Sequence, residues 1–132
     1  AGDALDASGG YLDIYNLEAR RIKDKALSAG ELSQVNIQNC KLNAVGVGIA
    51  SKDGSKVKVT GCEIRDYTLA SLMSYVKKNY YPSPSLTFSS SKSFDISSTI
   101  RQIGTDMVIN GKPVKTSSLD VEELYNSTFM KK

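Results

Sequence analysis

The stretch from Val35 to Val59, VNIQNCKLNAVGVGIASKDGSKVKV, carries the pattern that decides the fold. It opens with VNI, and an equivalent VKV begins 22 residues later, at Val57. A fixed period in the low twenties is typical of proteins built from stacked coils. The same interval separates further pairs of similar residues, namely Leu5 and Leu27, Leu27 and Ile49, Cys40 and Cys62, Leu42 and Ile64, and Val45 and Tyr67.

Alternation within each period predicts β-strands. Apolar residues stand two apart, which is the spacing of side chains on one face of a strand. A small or polar residue then predicts a corner, at Asn16, Asn39 and Gly61. Three short strands and three corners in each period form one coil of a parallel β-solenoid. The residues predicted to face inward include Leu12, Ile14, Leu17, Ala19, Leu27, Val35, Ile37, Cys40, Leu42, Ile49, Val57, Val59, Cys62 and Ile64.

Two other folds compete with this interpretation. A helical repeat needs apolar faces with a period of about 3.6 residues, and no such pattern occurs before Leu119. A β-sandwich also alternates, but it gives no reason for equivalent residues to recur every 22 positions. We therefore predict an all-β fold, a parallel β-helix of about four coils of 22–23 residues, with coils over residues 3–24, 25–46 and 47–69.

The fourth coil departs from the period. Leu86, the next equivalent of Val57, follows it by 29 residues, so about seven residues are inserted. The insertion falls in YVKKNYYPSPS, residues 75–85, where the prolines cannot donate hydrogen bonds to a strand ladder. We predict a protruding loop there, with strands resuming at residues 86–88 and 94–96.

The C-terminal residues have a different pattern. Asn110-Gly111, between short apolar runs, predicts a β-hairpin. Acidic residues near the start of the segment from Leu119 favour a short helix. Because the apolar end of a solenoid must be covered, we predict that residues 105–132 form a C-terminal cap on coils that occupy residues 1–104.

No comparable cap precedes Asp3, which already belongs to the repeat. We therefore expect residues 1–132 to be a single β-helix domain that is the C-terminal part of a longer solenoid. Preceding coils or domains would then be its partners within the chain. An open end also predicts end-to-end self-association through residues 3–24.

Composition excludes several classes of function. The net charge of +3 is too small to predict a nucleic-acid partner. No apolar run of 18 residues occurs, so no membrane span is predicted. Histidine is absent, which removes the commonest general base and metal ligand. We expect neither a metal site nor a cofactor.

Two segments carry a resemblance to a known group of proteins. The corner GIASKDGS from Gly48 to Ser55 and the rung VKVTGCEI from Val57 to Ile64 resemble right-handed parallel β-helix repeats of the pectate-lyase-like superfamily. The resemblance covers residues 2–96. It implies a right-handed coil and a carbohydrate-related setting that is extracellular, periplasmic or at the cell surface. It transfers no catalytic residue to this chain, because no lyase or glycosidase motif is matched.

The two cysteines, Cys40 and Cys62, occupy the same position in adjacent coils. A disulfide is one interpretation. Parallel side chains, however, keep the Cβ atoms near the strand spacing, which exceeds the roughly 3.8 Å that a disulfide prefers. We expect instead two inward thiols that pack as small hydrophobic groups.

Charged residues near one set of corners are candidates for ligand binding. The register stacks Glu31 on Asp53 and Gly30 on Lys52. Two carboxylates one rung apart can bind a cation or share a proton, which raises one pKa. Lyase chemistry also needs a base, a role that Lys52 with Tyr75 could fill. The alternative is a solvated ladder in which lysines offset the acids.

The inserted loop is the most distinctive predicted surface. It contains Tyr75, Lys77, Lys78, Tyr80 and Tyr81. Tyrosine rings suit sugar rings or a protein partner, and lysines attract uronate, sulfate or phosphate. The alternative is that the tyrosines pack back onto the coil beneath them.

Two functions follow from these observations. The first is a non-catalytic β-helix module of a secreted or cell-surface protein that binds carbohydrate, with anionic polysaccharide as its partner. The second is a fragment of a polysaccharide lyase or glycoside hydrolase. The sequence favours the first, since no catalytic residue can be assigned.

Overall fold

The computed structural model describes residues 3–91, 94–117 and 119–126. Residue 118 and residues 127–132 of the predicted cap lie outside this range. In chain order the secondary structure consists of β1 (Leu5–Ser8), β2 (Tyr11–Gly30), β3 (Gln34–Lys52), β4 (Lys56–Tyr75), β5 (Ser85–Ser89), a 3-10 helix (Ile96–Ser98), β6 (Thr99–Arg101), β7 (Asp106–Ile109), β8 (Lys112–Pro113) and α1 (Val121–Asn126).

The fold is a parallel β-solenoid of about four turns, as the sequence predicted. The three long strands, β2, β3 and β4, each wind once around the core and pair in parallel with the next. The predicted ladders are present, with Leu5 beside Leu27, Leu27 beside Ile49, and Ile49 beside Leu72. Strand β5 adds Leu86 beside Val57, which confirms the 29-residue offset.

Corners bend each long strand into three sides. The predicted corner residues Asn16, Asn39 and Gly61 all have positive φ angles. Glycine, and asparagine more than most other residues, tolerates that left-handed conformation, which explains the sequence signal. A second set of corners was not predicted from sequence because its residues share no such preference: Arg21, Ala44 and Asp66. We call residues 11–15, 34–38 and 56–60 the first side, and residues 25–30, 47–52 and 70–75 the third side.

Inward residues form one apolar core along the solenoid axis. Nine of the fourteen residues predicted to face inward are buried: Leu27, Val35, Ile37, Cys40, Leu42, Ile49, Val57, Val59 and Cys62. Ile64 is half-buried. In the described residues no strand of the fourth coil pairs over Ile64, which leaves one side of it uncovered.

The fourth coil is built from short pieces. Strand β5 continues the first side, β6 continues the third side, and β7 pairs in parallel with β5. The strand predicted at residues 94–96 is wrong. Asp95 instead caps the 3-10 helix by accepting hydrogen bonds from the backbone N–H and hydroxyl of Ser97, a local alternative to strand pairing.

The C-terminal residues cover the solenoid in two ways. The predicted hairpin is confirmed, with β7 and β8 antiparallel around Asn110 and Gly111, both at positive φ. We expected α1 to cover the solenoid end as well. It packs instead on the flank of the third side, where a second apolar cluster of Val47, Ala50, Ala70, Met73 and Tyr75 lies under Leu119, Val121, Leu124 and Tyr125.

The first coil is incompletely covered. Leu12 is 36% exposed although it points inward, and Ile14 and Leu17 are only half-buried. Strand β1 pairs with the third side of β2. Residues 11–15, the first side of β2, pair with β3 on one edge, and no described strand pairs with their other edge. End-to-end association through this coil stays a prediction.

The cysteine expectation is wrong. Cys40 and Cys62 form a disulfide between β3 and β4. Their Cα atoms are 4.4 Å apart, closer than the usual strand spacing and at the short limit for a disulfide. Both residues directly follow left-handed corners, at Asn39 and Gly61, which is where this rung departs from regular strand geometry.

Candidate functional site

The loop that follows β4, residues 76–84, is anchored by Asp53. Its carboxylate accepts hydrogen bonds from the backbone N–H groups of Lys77 and Lys78, at 2.8 and 2.9 Å. Asp53 is buried, at a corner where its own φ is positive. The sequence proposed this residue as a ligand-binding group, which stays a prediction; in the structure its carboxylate holds the loop onto the solenoid.

Glu31 ties the far part of the same loop to the first coil. It accepts hydrogen bonds from the Ser8 hydroxyl, at 2.8 Å, and from the Tyr81 hydroxyl, at 3.3 Å. The ammonium of Lys78 lies 3.5 Å from its carboxylate. The Ser8 hydrogen bond and the charge of Lys78 lower the pKa of Glu31. Glu31 is thus engaged with Ser8, Tyr81 and Lys78, and among the described residues no hydrogen bond links its carboxyl group to that of Asp53.

Tyr80 is the most exposed aromatic ring of the loop. It is 74% exposed, and its ring centre lies 4.8 Å from that of Tyr81. Tyr81 is half-buried and bonded to Glu31, so the pair consists of one fixed ring and one ring presented to solvent. Pro82 lies close over Gly54 at the neighbouring corner. Of the two interpretations of the loop tyrosines, outward presentation fits Tyr80 and packing on the coil fits Tyr81.

The sequence placed Tyr75 in the loop, which is wrong. Tyr75 is the last residue of β4 and is fully buried. Its hydroxyl lies 2.6 Å from that of Tyr125 on α1, and burial raises its pKa well above the usual range. The ammonium of Lys77 lies 4.4 Å above the Tyr125 ring, a cation–π contact. Tyr75 and Tyr125 therefore join the third side to its covering helix.

Lys52 is an outward residue of the third side, yet only 7% of it is exposed. It pairs with Tyr75 on one side, and on the other it runs over Gly30. A methyl group on Gly30 would lie 3.3 Å from Cε of Lys52 and 3.9 Å from its Nζ. Burial, followed by the charges of Lys25 and Lys77, lowers the pKa of Lys52 to about 8.

A cavity of about 110 Å³ lies beside this ammonium. Gly30 contributes its backbone, and the absence of a side chain there leaves the space open. The lining combines three lysines with three acids: Asp6, Ala7, Ser8, Gly30, Glu31, Lys52, Asp53, Lys77 and Lys78. The structure thus brings Glu31, Lys52, Asp53, Lys77 and Lys78 together, with Tyr80 and Tyr81 on the adjoining loop. Within the described residues, no three acidic or cysteine side chains are placed so that they could hold a metal ion together.

Sequence reasoning missed two further exposed rings. Tyr11 and Tyr15, on the first side, are 62% and 60% exposed. The amide of Asn36, one rung away, donates hydrogen bonds to the Tyr11 hydroxyl at 3.0 Å and to Asp13 at 3.1 Å. The signal was available, because these residues are the outward members of the alternation whose inward members defined the coils.

A larger depression, of about 460 Å³, lies at the corner that carries the disulfide. Glu18, Lys41 and Glu63 line it in successive coils, so acid and base alternate along one ladder. None of the described residues that line it is aromatic. We regard it as a solvated corner rather than a ligand site.

Comparisons with protein-family models, with curated proteins and with solved structures found no match to this chain. In the part of the chain that the structure describes, no helix has the length and apolar character needed to cross a membrane.

Proposed function

We propose that this chain is a non-catalytic β-solenoid module of a secreted or cell-surface protein, and that it binds anionic polysaccharide. The observation that carries the proposal is the presentation of Tyr80 on an anchored loop. Flat tyrosine faces stack on sugar rings, and a ring carried on an anchored loop binds with a smaller loss of backbone entropy. Asp53, Glu31 and Tyr81 supply the anchoring contacts.

Charge near the ring favours an acidic ligand. Lys77 is exposed and Lys78 is half-exposed, and only Asn79 separates them from the tyrosine pair. Lysines at such a position attract uronate or sulfate groups and speed association at low salt. The Lys78 ammonium is paired with Glu31 and the Lys77 ammonium lies over the Tyr125 ring, so both lysines would contribute to a ligand while keeping these contacts.

The disulfide supports a location outside the cytoplasm. Disulfides form and persist in oxidising compartments, and most cytosolic proteins keep their cysteines reduced. The bond between Cys40 and Cys62 therefore agrees with the setting that the resemblance to the pectate-lyase-like superfamily implies. Membership of that superfamily and a right-handed coil remain part of this proposal.

A fragment of a polysaccharide lyase or glycoside hydrolase is the second candidate. Lys52 favours it, because a lysine with a pKa of about 8 beside a cavity can act as a base. The cavity of about 110 Å³ is small, since sites that enclose a ligand usually measure about 300–1,000 Å³. It has room for one substituent of a sugar rather than for a reacting ring, which favours the binding function. Unsaturated products from polygalacturonate would reverse this preference.

Binding of polygalacturonate to the Tyr80→Ala variant tests the proposal. We expect affinity to fall at least about tenfold while the melting temperature stays within about 1 °C, because Tyr80 is exposed. Asn79→Ala, an exposed neighbour in the same loop, is the matched control and should bind normally. Lys77→Ala should weaken binding more at low salt than at high salt. Equal binding by wild-type and Tyr80→Ala protein would overturn the proposal.

A further inference from the structure

We propose that the cavity beside Lys52 is a receptor site for one small oxyanion, a carboxylate, phosphate or sulfate group held by the Lys52 ammonium. The site lies on the flank of the third side, under the loop that follows β4, and is separate from the exposed ring of Tyr80.

The first reason is that Lys52 is almost entirely buried while its ammonium has no counter-charge in direct contact in the part of the chain that the structure describes. Among the described residues, its ammonium makes no hydrogen bond and no ion pair within 4 Å. Lys25, the other buried lysine of this flank, is paired with Asp24 at 2.8 Å and Asp3 at 3.3 Å. Removing an ammonium from water is costly unless a counter-charge accompanies it. An oxyanion in the cavity would supply that counter-charge.

The second reason is the shape of the space. Ser8, Gly30, Lys52 and Tyr75 occupy one column of the third side, in successive coils. Because Gly30 has no side chain, the Lys52 chain can lie over it with Nζ at the cavity. A volume of about 110 Å³ corresponds to about three or four water molecules at roughly 30 Å³ each. A carboxylate or phosphate group fits that space.

The acids that line the cavity do not make it a cation site. Asp53 accepts two backbone hydrogen bonds from the loop, and Glu31 is bonded to Ser8, Tyr81 and Lys78. Asp6 is the exception, because it is exposed at the rim. Its charge lies near Lys52 and would oppose an incoming anion. Neutralising Asp6 should therefore strengthen the binding of an anion. The same change would weaken the binding of a cation.

Two sources can supply such a group. One is a free anion, and the other is the acid group of a polymer bound along the loop. Only the second source rests on the proposed function. Inorganic phosphate and monomeric galacturonate probe the first, and polygalacturonate probes the second.

The experiment follows the Gly30 amide resonance during titration with phosphate and with galacturonate. We expect a saturable shift in the wild-type protein, with affinity lowered at least about tenfold in Lys52→Met and raised in Asp6→Asn. Lys58→Met removes an exposed lysine from the first side of β4 and should leave the affinity unchanged. Removing a buried charge does not threaten folding, so Lys52→Met keeps the test informative.

A second variant tests the space rather than the charge. Gly30→Ala places a methyl group 3.3 Å from Cε of Lys52 and should weaken anion binding while the lysine remains. The amide of Ser8 then serves as the probe. A shift that grows linearly without saturation, or equal affinities in wild-type and Lys52→Met protein, would overturn the site.

The outcomes also separate this site from the proposed function. If polygalacturonate binding falls in Tyr80→Ala but not in Lys52→Met, the polysaccharide proposal stands and the oxyanion site fails. If phosphate binds at Lys52 while polygalacturonate does not bind at all, the oxyanion site stands and takes a free anion, and the polysaccharide proposal fails.

Discussion

The first and third sides of the solenoid are made by the same three strands but have opposite surroundings. On the first side, outward residues such as Tyr11, Tyr15 and Lys58 remain in solvent. On the third side, the outward residues Lys52 and Tyr75 are buried. The difference lies in what covers them, because the loop after β4 and α1 pack on the third side.

This contrast shows that strand alternation decides which way a residue points, while the covering segments decide its chemistry. Lys58 and Lys52 both point outward from neighbouring coils. Lys58 is a solvated charge, whereas Lys52 is an enclosed ammonium beside a cavity. The loop held by Asp53 and Glu31 encloses Lys52. The candidate site is therefore formed jointly by the solenoid coil and by the loop that packs on it.

The largest expected effect concerns the inward face that both sides share. Val59 is fully buried and Thr60, the next residue, points outward into solvent. Val59→Asp should lose at least about 4 kcal/mol of unfolding free energy, because an unpaired charge enters the apolar core. Thr60→Asp should change it by less than about 0.5 kcal/mol. Urea denaturation measures both, and similar losses in the two variants would contradict the assigned strand faces.

A smaller effect tests the cover of the third side. Tyr125→Ala removes the ring that contacts Tyr75 and Lys77, and should cost about 2 kcal/mol of unfolding free energy. Tyr15→Ala removes a similar ring from the bare first side and should cost less than about 0.5 kcal/mol. Equal costs for the two tyrosines would mean that α1 does not stabilise the third side.

The coils could be predicted from sequence because each inward residue sees mainly its equivalents one period away. Leu27, Ile49 and Leu72 pair with one another in a ladder. Similar residues one period apart in the sequence therefore indicate which residues are neighbours in the fold. The corners at Asn16, Asn39 and Gly61 could also be predicted, because a positive φ favours asparagine and glycine.

The covering contacts could not be predicted in this way. Tyr75 and Tyr125 are joined across 50 residues that belong to no common period. The cysteine ladder was predicted correctly in register but not in chemistry, because regular strand spacing was assumed at a corner that brings Cα atoms to 4.4 Å. Most residues of the candidate site were already candidates in the sequence analysis. Their roles were not predicted, because Asp53 and Glu31 bind the loop through contacts that only the folded chain creates.

The burial of Lys52 as an unpaired ammonium can be measured through the pH dependence of stability. Burial lowers its pKa from the usual 10.5 to about 8. Between these values the unfolded chain binds a proton that the folded protein has released, so the free energy of unfolding must rise with pH. Below about pH 8 both states are protonated and the cost of the buried charge is fully present.

The decisive measurement is the unfolding free energy of wild-type and Lys52→Met protein from about pH 7 to 9.5. The wild-type protein should gain about 2 kcal/mol relative to Lys52→Met over this range. The range stops below the ordinary tyrosine pKa, since the raised pKa values of Tyr75 and Tyr125 lower stability at higher pH. Subtracting the two curves removes contributions from groups that both proteins share. Parallel curves would contradict the enclosure of Lys52, and with it the candidate site on the third side.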